Sequence, residues 1–193
     1  MKRVSIFCTI LLMAVCVGLV PAQQAGPPSA NSTSDIADAP STIQDPATEA
    51  QVREYVRVSG EADEFRKSWI AALEKNRSNG APYWPESFWQ AVRDEMQKTD
   101  LLPMYVTLFQ HAVSRELMQE VLDGYRERGR EHFTGSPECF KLGAAVTAHQ
   151  SEWEKLKLAQ TQAVVSKMYA EYKPQIKAAR ARYMAEHPDF KDK

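Results

Sequence analysis

Residues 100–125 read DLLPMYVTLFQHAVSRELMQEVLDGY, and their apolar residues recur every three or four positions instead of every second one. Leu101, Tyr105, Leu108 and Ala112 share one face of a helix that Asp100 can cap. Leu117, Val121 and Tyr125 share one face of the next, which Ser114 can cap. Two amphipathic helices joined by a short loop are the repeating unit of a helical bundle.

The same rhythm extends in both directions. Upstream, Pro85 opens a helix with Phe88, Val92 and Met96 on its stripe. Before it, Phe65, Trp69 and Leu73 at i, i+4 and i+8 line a helix that stops in NRSNGAP, residues 76–82. Asp45-Pro46 reads as the start of a first short helix, carrying Val52, Tyr55 and Val56 up to Gly60. Downstream, from Pro137 to Pro174 the only breaker is an early Gly143, and Leu142, Val146, Trp153, Leu156, Ala163 and Ala170 follow a 3-4-7 spacing. This predicts one long helix or two stacked ones. His149, Gln160 and Lys167 at seam positions argue against a long parallel coiled coil. Ile176, Ala179 and Tyr183 predict a further helical piece after Pro174, ending before HPDFKDK. Alternating β-branched runs are absent, so the expected class is all-α: a bundle of six or seven helices with a long C-terminal helix.

The N-terminus, MKRVSIFCTILLMAVCVGLVPAQQA, has Lys2 and Arg3, an apolar run from Val4 to Val20, and Val20-Pro21-Ala22 before Gln23. This is the pattern of a secretory signal peptide, residues 1–22, cleaved after Ala22. The run is shorter than the roughly 20 residues that span a bilayer, so no membrane span is expected after cleavage. Residues 23–45 are rich in Pro, Ser, Ala and Gln and read as a flexible tether. Residues 46–193 are then a single domain, and the expected location is the periplasm or beyond. Cleavage takes the basic count from 24 to 22 against 25 acids, a net charge near −3. A nucleic-acid partner, which calls for a basic stripe and a high isoelectric point, is not expected.

Several chemistries lack their motifs. His111, His132, His149 and His187 occur singly, none with Glu three residues before it, and neither His-Glu-x-x-His nor Cys-x-x-Cys is present. No metal or cofactor is therefore expected. His149-x-x-Glu152 can share a helix face, and a satisfied surface or core histidine is the reading adopted. Gly-x-Ser-x-Gly, Ser-x-x-Lys and glycine-rich phosphate loops are missing, and no catalytic residue is assigned. Carboxylate pairs such as Glu61 with Glu64 and Glu152 with Glu154 sit among Lys and Arg, as on solvated helix faces.

Two local features stand out. In GAPYWPESFW, residues 80–89, the rings of Tyr83, Trp84, Phe88 and Trp89 fall within seven residues at a loop-to-helix junction. Such rings can stack on sugars or grip a partner, or wedge between helices and fix the loop. The other feature is Cys139, the lone thiol once Cys8 and Cys16 leave with the signal peptide, which excludes an intrachain disulfide. Ser136 can cap a helix with Pro137 and Glu138 in its first turn, bringing Cys139 to the positive end of the dipole. That favours a reactive thiolate, and Glu138 opposes it. The preferred reading of Cys139 is a small buried apolar residue.

FTGSPECFK, residues 133–141, with Phe133, Ser136, Pro137 and Lys141, resembles the Phe-Tyr-x-Ser-Pro-x-Gly-x-Lys signature of the bacterial exported proteins grouped as domain-of-unknown-function family 2059. Upstream, Pro103, Tyr105, Phe109, Ser114, Glu116 and Leu117 resemble the family's Pro-x-Tyr, Phe and Ser-x-Glu-Leu run. The likeness covers about residues 100–145, with a looser echo at 50–75. Thr134 stands where the family has Tyr, Cys139 where it has Gly, and Ser114 lies farther from Phe133 than is usual there. The resemblance implies an all-helical exported domain of no known activity, in which Ser136-Pro137 starts a helix and Phe133 staples it to the bundle.

The expected function is a non-enzymatic binding module whose partner is an envelope protein or polymer. The alternative is an enzyme acting on envelope polymers with a carboxylate acid–base pair, which requires two acids in one cleft, one with a raised pKa. A single-cysteine redox sensor is the weaker alternative.

Overall fold

A computed structural model describes residues 43–77 and 80–190. Among these residues there are seven helices, α1 (Glu49–Ser59), α2 (Glu61–Arg77), α3 (Glu86–Lys98), α4 (Leu102–Ala112), α5 (Arg115–Phe133), α6 (Pro137–Ala148) and α7 (Gln150–Glu186), and no strand. The expected all-α bundle with a long C-terminal helix is the observed architecture. The expected signal peptide and residues 23–42 of the tether lie outside the described residues.

The first helix starts later than Asp45-Pro46. Thr48 is its cap: its hydroxyl accepts from the Gln51 N–H at 3.2 Å, while the Gln51 side chain accepts from the Thr48 N–H at 3.1 Å. This reciprocal pair is a capping box. The backbone of 45–47 is committed elsewhere, pairing with the α4–α5 junction through Ala47 N–H to Val113 O at 2.9 Å and Arg115 N–H to Asp45 O at 2.7 Å. The end of the expected tether is therefore docked on the domain. Ser114 caps α5 as expected, accepting the Leu117 N–H, whereas Asp100 stands one residue before the cap position of α4, which Leu101 takes, and its carboxylate accepts the Leu102 N–H at 2.9 Å.

One group of helices forms where α1 packs on α4 and α5, and α6 packs on the same two. The second group is α2, α3 and α7; α7 joins it to the first through α4. The core runs through both, with Val52, Tyr55, Phe88, Val92, Met96, Leu108, Phe109, Met118 and Val121 almost wholly buried. Each such side chain contributes about 1.5–3 kcal/mol by leaving water. Aromatic contacts tie the groups together. Trp153 of α7 meets Phe65 at 5.4 Å and Tyr105 at 5.5 Å, and the Trp69 indole N–H donates to Thr161 at 2.9 Å.

Of the two forms open to the long C-terminal segment, it takes the second: two helices, broken at His149, whose φ and ψ of −106° and 22° leave the helical region. The region departs from the sequence reading in two ways. Pro174 does not end α7, which continues to Glu186. Proline in a helix interior costs about 3 kcal/mol or more; here it sits on the exposed side, between buried Ile176 and half-buried Tyr172, whose packing holds the helix together. The buried stripe is also shifted: Val164 and Met168 face the core, while Ala163 and Ala170 are exposed. A seven-residue repeat drifts about 20° per heptad on a straight helix, and the larger side chains gain more from burial. The helix folds along α3, with Lys167 bonded to Glu95 at 2.6 Å and Tyr183 against Tyr83 at 6.1 Å. Among the described residues no helix is long and apolar enough to cross a membrane.

Candidate functional site

Pro85 takes the cap position of α3 in extended backbone, so residues 80–84 arrive across the helix start and not along it. This geometry gathers the four predicted rings. Phe88 and Trp89 are buried, and Trp84 and Tyr83 are half-buried against the core. Trp84 meets Phe88 edge-on at 5.0 Å, Trp89 at 5.3 Å and Tyr169 of α7 at 6.3 Å. Tyr169 is 42% exposed, so the corner keeps an open aromatic edge. Beside it lies a shallow groove of about 490 Å³ edged by Glu74, Arg77, Trp84 and Trp89. Arg77 and Arg93 both bridge to Glu74, and Arg77 also to Glu86, which supplies fixed polar groups next to the rings.

Of the residues carrying the family likeness, Phe133, Ser136, Pro137 and Lys141 are brought together at the α5–α6 turn. Phe133 is buried and stacks on Tyr125 at 3.9 Å and 19°. Ser136 caps α6 by accepting the Cys139 N–H at 3.1 Å, with Pro137 in the first turn. Lys141 bonds to Glu120 at 2.7 Å and so ties α6 to α5; that bond raises its pKa. Tyr105 lies in the core beside Phe109 and Trp153, whereas Pro103 is exposed in the first turn of α4. Cys139 is half-buried, not fully enclosed. Glu138 pairs with Arg128 at 2.6 Å; its pKa is lowered, first by a bond to its own backbone N–H, then by Ser136 and Arg128.

Of two polar clusters, one went unread in the sequence and the other was read only in part. Glu61, taken for part of a solvated face, is half-buried and hydrogen-bonded to the Tyr55 hydroxyl. Burial raises its pKa, and the Tyr55 bond and the charge of Arg130 oppose that without reversing it. Their own burial, and then the charge of Glu61, push the phenols of Tyr55, Tyr105 and Tyr125 above the ordinary range. The helical spacing of Glu61 gave no signal, because Arg130 comes from 69 residues away in the chain. In the second cluster, His149 Nδ1 lies 3.3 Å from Glu152, as its spacing allowed, and His111 of α4 bonds to the other oxygen of that carboxylate. Among the described residues no three His, Cys, Asp or Glu side chains are grouped to hold a metal ion.

A third surface feature is an acidic groove of about 430 Å³ between α1 and α5, lined by Asp45, Glu116, Glu120 and Asp123 with Arg115. Its acids are largely engaged, Asp45 by Arg115, Glu120 by Lys141 and Asp123 by Arg126. No protein-family model, curated protein or solved structure matches this chain.

Proposed function

We propose that the chain is an exported, non-enzymatic helical binding module of the bacterial periplasm, which receives an envelope protein or polymer at its aromatic corner. The observation that carries this reading is the open edge of that corner, Tyr169 in contact with half-buried Trp84 beside the Glu74–Arg77 groove. Aromatic side chains pre-ordered by their neighbours offer contact area with little rotamer entropy left to lose. The leader-like N-terminus, the tether and the likeness to family 2059 support export.

A carboxylate acid–base enzyme is the second reading, favoured by the raised pKa of Glu61. It ranks below the first because the groups acting on Glu61 are Tyr55 and Arg130, with no second carboxylate among them, and Glu61 lines neither groove.

The test uses a photo-crosslinking residue at position 84 or 169, with position 123 on α5 as control, in intact cells. A discrete crosslinked product from 84 and 169 and none from 123 is expected, and it disappears in a folded Trp84→Ala protein probed at 169. Absence of any product from both corner positions overturns the reading.

A further inference from the structure

The aromatic corner continues into the Glu74–Arg77 groove, where ring surface stays open and charge is balanced. Gly80 presses its backbone against the Trp89 indole, since a Cβ on that residue would stand 2.9 Å from the ring. The contact fixes one wall of the groove of about 490 Å³. Trp84 borders the groove and also meets Tyr169 of α7 at 6.3 Å, so ring surface extends past the groove to a side chain that is 42% exposed. The four charges paired here cancel. Arg77 donates to Glu86 at 3.0 Å and Arg93 to Glu74 at 2.9 Å, two bases against two acids. Glu74 and Arg77 nonetheless keep 40% and 36% of their side-chain surface, so both still meet solvent.

We propose that the corner and the groove together bind a linear glycan of uncharged, β-linked pyranose units. The inference rests on the partner-site reading above and names the chemical class of its ligand. A pyranose with equatorial substituents carries C–H groups on its flat faces, which rest on an aromatic ring, and hydroxyls around its edge, which both donate and accept. Tyr169 and Trp84 supply the rings. The Arg77–Glu86 and Arg93–Glu74 pairs supply donors and acceptors already held in place, so little ordering is left to be done on binding. Because the paired charges cancel, nothing at the groove selects a charged polymer. A protein partner fits less well. Its strongest contacts are side chains seated in fully desolvated pockets, and enclosing this shallow groove would take two ion pairs out of water. A sugar chain lying along an open groove leaves those pairs hydrated, and its extended form follows the step from the groove to Tyr169.

The test is titration of the protein purified from cells with cellotetraose and with tetra-N-acetylchitotetraose, followed by calorimetry and tryptophan fluorescence at low and high salt. Saturable binding of at least one tetrasaccharide, equal at the two salt concentrations, is expected. Tyr169→Ala should weaken it about tenfold and Tyr169→Phe by no more than about twofold, both at an unchanged melting temperature. Should Tyr169→Ala melt early, Arg77→Gln, expected to lose about fivefold, decides the matter. Binding of neither tetrasaccharide, or undiminished binding by the folded variants, overturns the glycan. Binding that vanishes at high salt overturns it in favour of a charged ligand. If the tetrasaccharides fail while positions 84 and 169 still crosslink to a protease-sensitive product, the corner is a protein site and only this inference falls. If the crosslinks fail as well, the partner-site reading falls with it.

Discussion

The guanidinium of Arg130 closes over Gly60, with one nitrogen 2.5 Å from where a Cβ on that residue would sit. Gly60 has φ +65°, ends α1 and lets α2 begin at the next residue, with the buried Ser59 hydroxyl accepting the Glu61 N–H at 3.2 Å. Gly60→Ala meets two penalties: the left-handed backbone, which costs about 1–2 kcal/mol, and displacement of the arginine from Glu61. A fall in the urea midpoint equivalent to about 2 kcal/mol is expected, and no change would refute the packing role of Arg130.

Arg130 reaches that position because α5 breaks one residue earlier. Gly129 has φ 71° and ψ 165°, a conformation open almost only to glycine, and the break returns the chain so that Phe133 stacks on Tyr125. A Cβ at Gly129 would meet nothing within 4 Å, so the cost of Gly129→Ala is backbone strain alone, about 1–3 kcal/mol. Loss of near-ultraviolet dichroism from the Tyr125–Phe133 stack should accompany it if the substituted helix straightens.

Glu61 gives stability a pH dependence of determinate sign. Its folded pKa is raised, mainly by burial, so in the window between the ordinary glutamate value and the folded one the native state binds more protons than the unfolded. The destabilisation is full above the folded pKa and absent below the unfolded one. Glu54 and Glu138, whose values are lowered, act in the opposite sense, so the whole-protein curve mixes both. The difference between wild type and Glu61→Gln isolates the contribution of this carboxyl group. In urea melts the variant should be at least as stable as wild type at neutral pH, and its relative advantage should shrink as the solution is acidified. A difference that grows on acidification would show that Arg130 and Tyr55 outweigh burial.

Helix content and most of the core were legible because they depend on near neighbours. Phe88, Val92 and Met96 on α3, or Phe65 and Trp69 on α2, declare a buried face by spacing alone. The misreadings came where a distant partner decides. Nothing near Asp45 reveals that its carbonyl accepts from Arg115, and nothing near Pro174 reveals that Ile176 is anchored. The aromatic corner was visible as a cluster of ring types, but its open edge depends on Tyr169, which lies 80 residues beyond Trp89. The Glu61 cluster was invisible for the same reason, since its charge comes from Arg130 behind a glycine break.

Cys139 separates a structural reading of the α5–α6 turn from a redox one. Its N–H is held by Ser136 and its side chain is half-buried, with Phe140 beside it 61% exposed. Thiol labelling in the native protein should be slower than in urea yet run to completion, and size-exclusion elution should not respond to reductant. Cys139→Ser should change stability by no more than about 1 kcal/mol and leave crosslinking at Tyr169 unchanged. A reducible dimer, or loss of crosslinking in the serine variant, would promote the sensor reading instead.

The four rings of the corner should divide into support and surface. Phe88 is fully buried, so Phe88→Ala opens a cavity under α7 and should cost about 3–5 kcal/mol. Trp84 is half-buried and keeps only part of its area from water, so Trp84→Ala should cost roughly 1–2 kcal/mol and leave a folded protein. Calorimetric melting of both variants checks the order. If Trp84→Ala proves as damaging as Phe88→Ala, the corner is a wedge between α3 and α7, and its use as a partner site falls with it. If Trp84→Ala stays folded and loses crosslinking at position 169, the ring acts on the partner and not on the fold.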